Sequence, residues 1–140
     1  MLPELDENVL DHIAIVVESL DKSQKVYEDL GFVFKPEREI VAEQGVKTAF
    51  AQVDHNANIE LLEPYGKDGP IHKFIKKKGP GIHHLCFRVK DVVKKCKELK
   101  DKGYILINEQ PVTGAHNCLV NFIHPKSTGG VLIEISQRKN

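Results

Sequence analysis

What the sequence lacks narrows it first. It has no surplus of charge: 20 basic and 20 acidic residues give a formal net charge of zero. Nucleic acid is therefore not expected as a partner, because binding phosphates needs a net basic face. No apolar run approaches the length of a membrane span, so no membrane is expected either. Cysteine is scarce and unpaired. Cys86, Cys96 and Cys118 make an odd count with no C-x-x-C spacing, which fits reduced thiols serving as small apolar residues in a cytoplasmic protein. The opening "MLPELDENVL" is acidic and has neither a basic n-region nor a long apolar stretch, so no secretory signal is expected. What remains, 140 residues with 41% hydrophobic and 29% charged, is the composition of an ordinary soluble globular domain with a real core.

The chain is an internal repeat. "DHIAIVVESLDKSQKVYEDLGFVF", from Asp11, lies over "HHLCFRVKDVVKKCKELKDKGYIL", from His83. His12 falls on His84, Val17 on Val89, Lys22 on Lys94, Asp29 on Asp101 and Gly31 on Gly103, an offset of 84 − 12 = 72. Each copy opens with a β-branched strand. Ser19 and Asp91 then offer short side-chain oxygens as helix N-caps. Leu20, Val26, Tyr27 and Leu30 give one helix an apolar stripe, and Val92, Val93, Cys96 and Leu99 give the other. Gly31 and Gly103 close the helices in left-handed conformation. The lysines of the second helix form a solvated face. Farther on, "NIELLE" matches "VLIEIS" at an offset of 134 − 60 = 74, so two residues are gained in the second copy. Each copy thus reads strand–helix–strand–strand–strand. The middle strands are expected over 35–41 and 46–53, and over 104–108 and 117–124. Between the copies, Pro70 and Gly79 bracket a short helix that ends in Lys76, Lys77 and Lys78.

Alternation along the strands puts His12, Ala14 and Val16 on one face and Ile13, Ile15 and Val17 on the other. His84, Cys86 and Arg88 likewise oppose Leu85, Phe87 and Val89. The apolar faces are expected to pack on the helices, while the small Ala14 and Cys86 leave room beside the histidines. Glu60 and Glu134 stand inside apolar strands, where a carboxylate is costly unless paired, protonated or bound to metal. A pseudo-two-fold between the copies would bring His12, Glu60, His84 and Glu134 together. Such a set of two nitrogens and two oxygens suits a divalent ion such as Zn²⁺, Co²⁺ or Ni²⁺. His83 should point to the other face in a structural role, and His55, His72, His116 and His124 are given none. Glu43, in a turn before Gly45, reads by itself as an exposed loop acid.

The stretches "LDHIAIVV", "EQGV", "IELLEP", "GPGIHHLCFRV" and "FIHPKSTGGVLIEI" resemble the vicinal oxygen chelate superfamily (glyoxalase, bleomycin resistance, dioxygenase), and within it the methylmalonyl-CoA epimerase family. They run from Leu10 to Ile135, nearly the whole chain. The resemblance implies an α+β fold of two tandem βαβββ modules, forming a pseudo-symmetric, partly closed mixed sheet around a metal site. One domain would comprise module one at about 9–63, a linker at about 64–81 and module two at about 82–137. It implies metal ligands at His12, Glu60, His84 and Glu134. Some family members carry glutamine at the position of Glu60, so this site would hold one more negative charge. It also implies a catalytic base at Glu43, with Glu134 as ligand and opposing base, and a homodimer acting on a CoA thioester, the two epimers of methylmalonyl-CoA. Lys76, Lys77 and Lys78 would contact the CoA phosphates. Glyoxalase I, which shares the ligand set, remains an alternative. A non-catalytic binding protein and an extradiol dioxygenase fit the four ligands less well.

Overall fold

The computed structural model describes residues 8–138. By its internal contacts the chain divides into His12–His83 and a second unit comprising Met1–Asp11 with His84–Asn140. The two cuts fall at His12 and His84, which are themselves repeat equivalents.

The first unit carries β1 (Val9–Val16, entering at His12), α1 (Leu20–Asp29), β2 (Glu39–Val41), β3 (Val46–Gln52), β4 (Asn58–Pro64) and α2 (Pro70–Lys78). Its strand order is β2-β3-β4-β1. β1 runs parallel to β4, and β3 is antiparallel to both β2 and β4. The second unit carries β5 (Gly81–Arg88, entering at His84), α3 (Val92–Asp101), β6 (Val112–Thr113), β7 (Leu119–Ile123) and β8 (Ile133–Gln137). Its order is β6-β7-β8-β5, with β5 parallel to β8 and the other pairs antiparallel. The two units therefore share one α+β topology. They also share one register: Glu60 lies opposite Ala14 and Phe50, and Glu134 lies opposite the equivalent Cys86 and Phe122. Phe50 and Glu60 are 10 residues apart and Phe122 and Glu134 are 12 apart, so the two gained residues sit in the β7–β8 hairpin.

Both helices start and stop as their residues dictate. The Ser19 hydroxyl accepts from Lys22 N at 3.3 Å, and the Asp91 carboxylate from Lys94 N at 3.0 Å. A second cap, unseen in the sequence, comes from the last strand of each unit. Glu63 Oε1 accepts from Leu20 N at 3.0 Å and Gln137 Oε1 from Val92 N at 2.9 Å. Each meets a helical N–H that has no partner within its own helix. At the far ends Gly31 and Gly103 take φ of +109° and +93°. Phe32 N returns to Tyr27 O and Gly31 N to Glu28 O in one, and Tyr104 N to Leu99 O and Gly103 N to Lys100 O in the other, the paired bonds of a Schellman closure.

The core lies mainly on the helix side of each sheet. Val17, Leu20, Phe34 and Leu61 cluster in the first unit, and Val89, Val92, Cys96 and Ile135 in the second. The apolar stripes are narrower than their spacing implies, because Val26, Leu30 and Val93 are 57%, 71% and 57% exposed. The other face of the first sheet is covered by α2, whose Ile71 packs on Ala14, Val16, Val46 and Leu62. The lysines of α3 are mostly exposed, and no disulfide joins the three cysteines, of which Cys86 and Cys96 are buried. No helix among the described residues is long and apolar enough to cross a membrane.

Two expected strands are corrected. The stretch over 35–41 is a strand only from Glu39. Pro36 has no N–H to offer a ladder, so the segment touches β3 through Lys35 N to Phe50 O and an isolated Phe34–Ala51 bridge. The stretch over 104–108 is not a strand, although Leu106 makes the equivalent bridge to Ile123. It still bonds to β7, through Ile107 N to Phe122 O and His124 N to Ile105 O, both at 2.8 Å, and at Asn108 a side chain takes over: the fully buried Asn121 donates to Asn108 O at 2.9 Å and accepts from Asn108 N at 3.1 Å. The pairing strand is Val112–Thr113 instead. The β3–β4 loop is closed by Asp54, whose Oδ1 accepts from Ala57 N at 2.7 Å and Asn56 N at 2.8 Å. These two backbone bonds, Ala57 the stronger, hold its carboxyl below the usual aspartate range.

Replacing Glu63 or Gln137 by Ala should each cost about 1 kcal/mol in denaturant unfolding, the scale of a lost helix cap. For Asp54 the folded pKa is depressed. Its contribution is therefore present above the unfolded value of about 3.9 and lost as pH falls through the folded value. Asp54→Ala should melt below wild type at neutral pH, with the gap closing in acid.

Candidate active site

In the first unit, His12 enters on β1 and Glu60 on β4. The parallel register places Glu60 beside Ala14, two residues along the same face as His12. Both side chains are buried, and His12 Nε2 lies 3.8 Å from Glu60 Oε2. The second unit repeats the arrangement with His84 on β5 and Glu134 on β8, beside Cys86. There His84 Nε2 lies 2.9 Å from Glu134 Oε1, both side chains are again buried, and the Phe122 ring stands edge-on to the imidazole at 5.5 Å. The small Ala14 and Cys86 matter because a larger side chain there would fill the space next to the carboxylate.

The chemistry of the donors fits a divalent cation. Each unit presents one imidazole nitrogen facing one carboxylate oxygen inside an apolar strand face. Ligands bonded at about 2.0–2.2 Å to a shared ion stand roughly 3–3.5 Å apart. The observed 2.9 and 3.8 Å bracket that range. A partner of either kind, proton or metal, answers the cost of burying a carboxylate.

Glu43 is exposed in a 3₁₀ turn, Ala42–Gln44, that joins β2 to β3 and ends at Gly45 in left-handed conformation (φ 62°, ψ 41°). The equivalent turn of the second unit, Ala115–Asn117, places Ala115 at the position of Glu43 (115 − 43 = 72), and His116 and Asn117 both have φ of 56°. Only the first unit thus carries a carboxylate on this turn. Lys76, Lys77 and Lys78 are exposed in the last turn of α2, with Lys78 Nζ 5.8 Å from the Phe74 ring centre. His83 stands edge-on to Phe74 at 4.9 Å, in keeping with a packing role. Arg88 is committed to Asp11, with Nη2 at 2.8 Å and Nε at 3.2 Å from Oδ1.

The brace beneath the Glu43 turn escapes sequence reading. Tyr65 N donates to Gly45 O at 2.7 Å. A Cβ on Gly45 would meet Asp68 O at 2.5 Å and the His72 ring at 3.3 Å, and one on Gly69 would meet Gln44 O at 2.9 Å. The only sequence signal was the pair of glycines, Gly45 and Gly69, whose tight mutual approach depends on tertiary structure.

The family described as the Glyoxalase/Bleomycin resistance protein/Dioxygenase superfamily matches residues 11–122. The ethylmalonyl-CoA/methylmalonyl-CoA epimerase of Cereibacter sphaeroides is 38% identical over 91% of this chain and 96% of its own. The crystal structure of methylmalonyl-CoA epimerase from Mycobacterium tuberculosis superposes with a TM-score of 0.89 at 38% identity, covering 100% of this chain and 94% of that one. A variant of the Streptomyces coelicolor methylmalonyl-CoA epimerase, solved in complex with 2-nitronate-propionyl-CoA, has a TM-score of 0.89 at 30% identity over 96% of this chain and 100% of that one. The chain belongs to the glyoxalase superfamily and, within it, to the methylmalonyl-CoA epimerase family. It is an enzyme of the isomerase class.

Proposed function

We propose that this chain interconverts (2R)- and (2S)-methylmalonyl-CoA by moving the proton on C2, with one divalent ion held by His12, Glu60, His84 and Glu134. The observation that carries the reading is the repeated pair: a buried imidazole facing a buried carboxylate at equivalent positions and in equal register in both units. Modules and linker act as one domain in this reading, and the protein works as a cytoplasmic homodimer. Names of relatives support the substrate class, and the CoA ligand of the Streptomyces relative supports a CoA thioester. The ion is Co²⁺, Zn²⁺ or Ni²⁺. When bound, it supplies Lewis-acid stabilisation of the charge that grows on the thioester oxygen as C2 loses its proton.

The chain's own residues do the rest. C2 lies between a thioester carbonyl and a carboxylate, so its proton is weakly acidic and its removal leaves a planar enolate. Inversion needs a base on each face. Glu43 takes and returns the proton on one face through its carboxylate. Glu134 does so on the other, in addition to its place among the ligands. The apolar strand faces around Ala14 and Cys86 exclude water and sharpen the electrostatics of the site. Lys76, Lys77 and Lys78 attract the CoA phosphates as exposed point charges.

Three outcomes test the assignment. His84→Ala should lose most of its metal by elemental analysis, since one of four ligands is gone. Glu43→Gln should keep wild-type metal content yet epimerise about 10²–10⁴-fold more slowly, the usual cost of losing a general base. Near wild-type epimerisation by Glu43→Gln would remove Glu43 from the mechanism. Neutralising Lys76, Lys77 and Lys78 together should raise KM at low salt with kcat little changed, each exposed contact being worth no more than about 1 kcal/mol. An unchanged KM would dissociate these lysines from CoA.

A further inference from the structure

We infer that His72 is a positioning residue for Glu43: it braces the turn that carries the base, so that the carboxylate stands at the height of C2. The inference rests on the proposed role of Glu43 and extends it to a residue with no direct part in proton transfer.

Every contact involved lies within His12–His83. The Ala42–Gln44 turn has an exposed outer side, where Glu43 stands, and a buried inner side, formed by Gly45. Three groups crowd the place where a Cβ on Gly45 would stand: the carbonyls of Asp68 and Tyr65, and the His72 ring. From the other side, Gly69 lies so close that a Cβ on it would meet Gln44 O at 2.9 Å. The turn is thus clamped by the segment from Tyr65 to Gly69 and by the first turn of α2.

His72 sets that clamp. Its Nε2 lies 3.0 Å from Gly66 O, which accepts the ring N–H and fixes the loop that holds Tyr65 and Asp68. Its Nδ1 is buried with no protein partner, so one hydrogen bond and ring packing alone determine how the imidazole sits. The ring is therefore both a wall for Gly45 and the tie that keeps the Tyr65–Gly69 segment against the turn. Loss of the ring would untie Gly66 from α2, so that the segment carrying Tyr65, whose N–H bonds Gly45 O at 2.7 Å, would hold the turn less firmly. A turn so loosened displaces Glu43 without touching His12 or Glu60. Misplacement of a reacting group by about 1 Å can cost roughly 10²-fold in rate. A shift of a few tenths of an ångström should thus cost several-fold to tenfold.

The test reads one face of C2 at a time. Co²⁺-loaded wild type, Glu43→Gln, His72→Ala, His72→Gln and Gly69→Ala are each given (2R)- or (2S)-methylmalonyl-CoA in D₂O, and washout of the C2 proton is followed by NMR. Metal content and Tm are measured alongside. Glu43→Gln should abolish washout from one epimer and spare the other. His72→Ala should slow washout from that same epimer by roughly tenfold and leave the other within about twofold. His72→Gln, whose amide can still donate to Gly66 O, should recover most of the loss. Gly69→Ala pushes on Gln44 O without altering His72, and should show the same epimer bias if His72→Ala does not fold. A purely structural role, acting through stability or metal content, would slow both epimers alike. If Glu43→Gln is selective while His72→Ala and Gly69→Ala slow both epimers equally or neither, the positioning role is overturned and the base stands. If Glu43→Gln itself is unselective, the base assignment falls, and the role of His72 falls with it.

Discussion

The structure turns on the cost of burying Glu60 and Glu134. Each stands 5% and 8% exposed in the middle of a strand whose neighbours are apolar. An ionised carboxylate in that setting is destabilising by several kcal/mol unless something of opposite charge or a hydrogen-bond donor meets it. The fold supplies a histidine at the right register each time. It keeps the adjacent positions small and buried, as Ala14 and Cys86. A protein selected for stability alone would place aliphatic residues here. Two buried acids, kept in equal register by two copies of one topology, mark where stability gave way to chemistry.

The repeat is informative where it holds and where it breaks. It holds in the caps, in the Schellman closures, in the isolated bridges of Phe34 and Leu106, and in the His–Glu pairs. It breaks in the turn after the second strand. One unit carries Glu43 on that turn; the other carries Ala115, followed by two residues in left-handed conformation. A two-fold arrangement of ligands suits a metal, whereas an epimerase must treat the two faces of a carbon with groups on opposite sides. Proton transfer in the proposed mechanism therefore uses one group inside the symmetric set, Glu134, and one outside it, Glu43. The linker supports the second of these: α2 covers the open face of the first sheet and reaches the Glu43 turn through His72.

Much of this was legible in the sequence, for definite reasons. The strands bearing His12 and His84 are β-branched and alternate cleanly, so period and face follow from composition. Ser19, Asp91, Gly31 and Gly103 carry local chemistry that needs no tertiary context. The segments over 35–41 and 104–108 failed for the opposite reason. Pro36 withholds a donor in the first; the second makes only an isolated bridge and two backbone bonds to β7, and at Asn108 the buried amide of Asn121 replaces the ladder. Glu63 and Gln137 as helix caps, and His72 as a brace, join residues far apart in sequence, where no periodicity reports them. Family resemblance added what local physics could not: an exposed acid at Glu43 looks like any other loop carboxylate.

The central claim is that the two His–Glu pairs act on a single ion. Titration of the metal-free full-length protein with Co²⁺, followed by visible absorption and checked by elemental analysis after gel filtration, counts the ions directly. The account predicts saturation at one Co²⁺ per chain with a single spectral transition. Saturation at two per chain, one for each unit, or no retained metal at all, would contradict it.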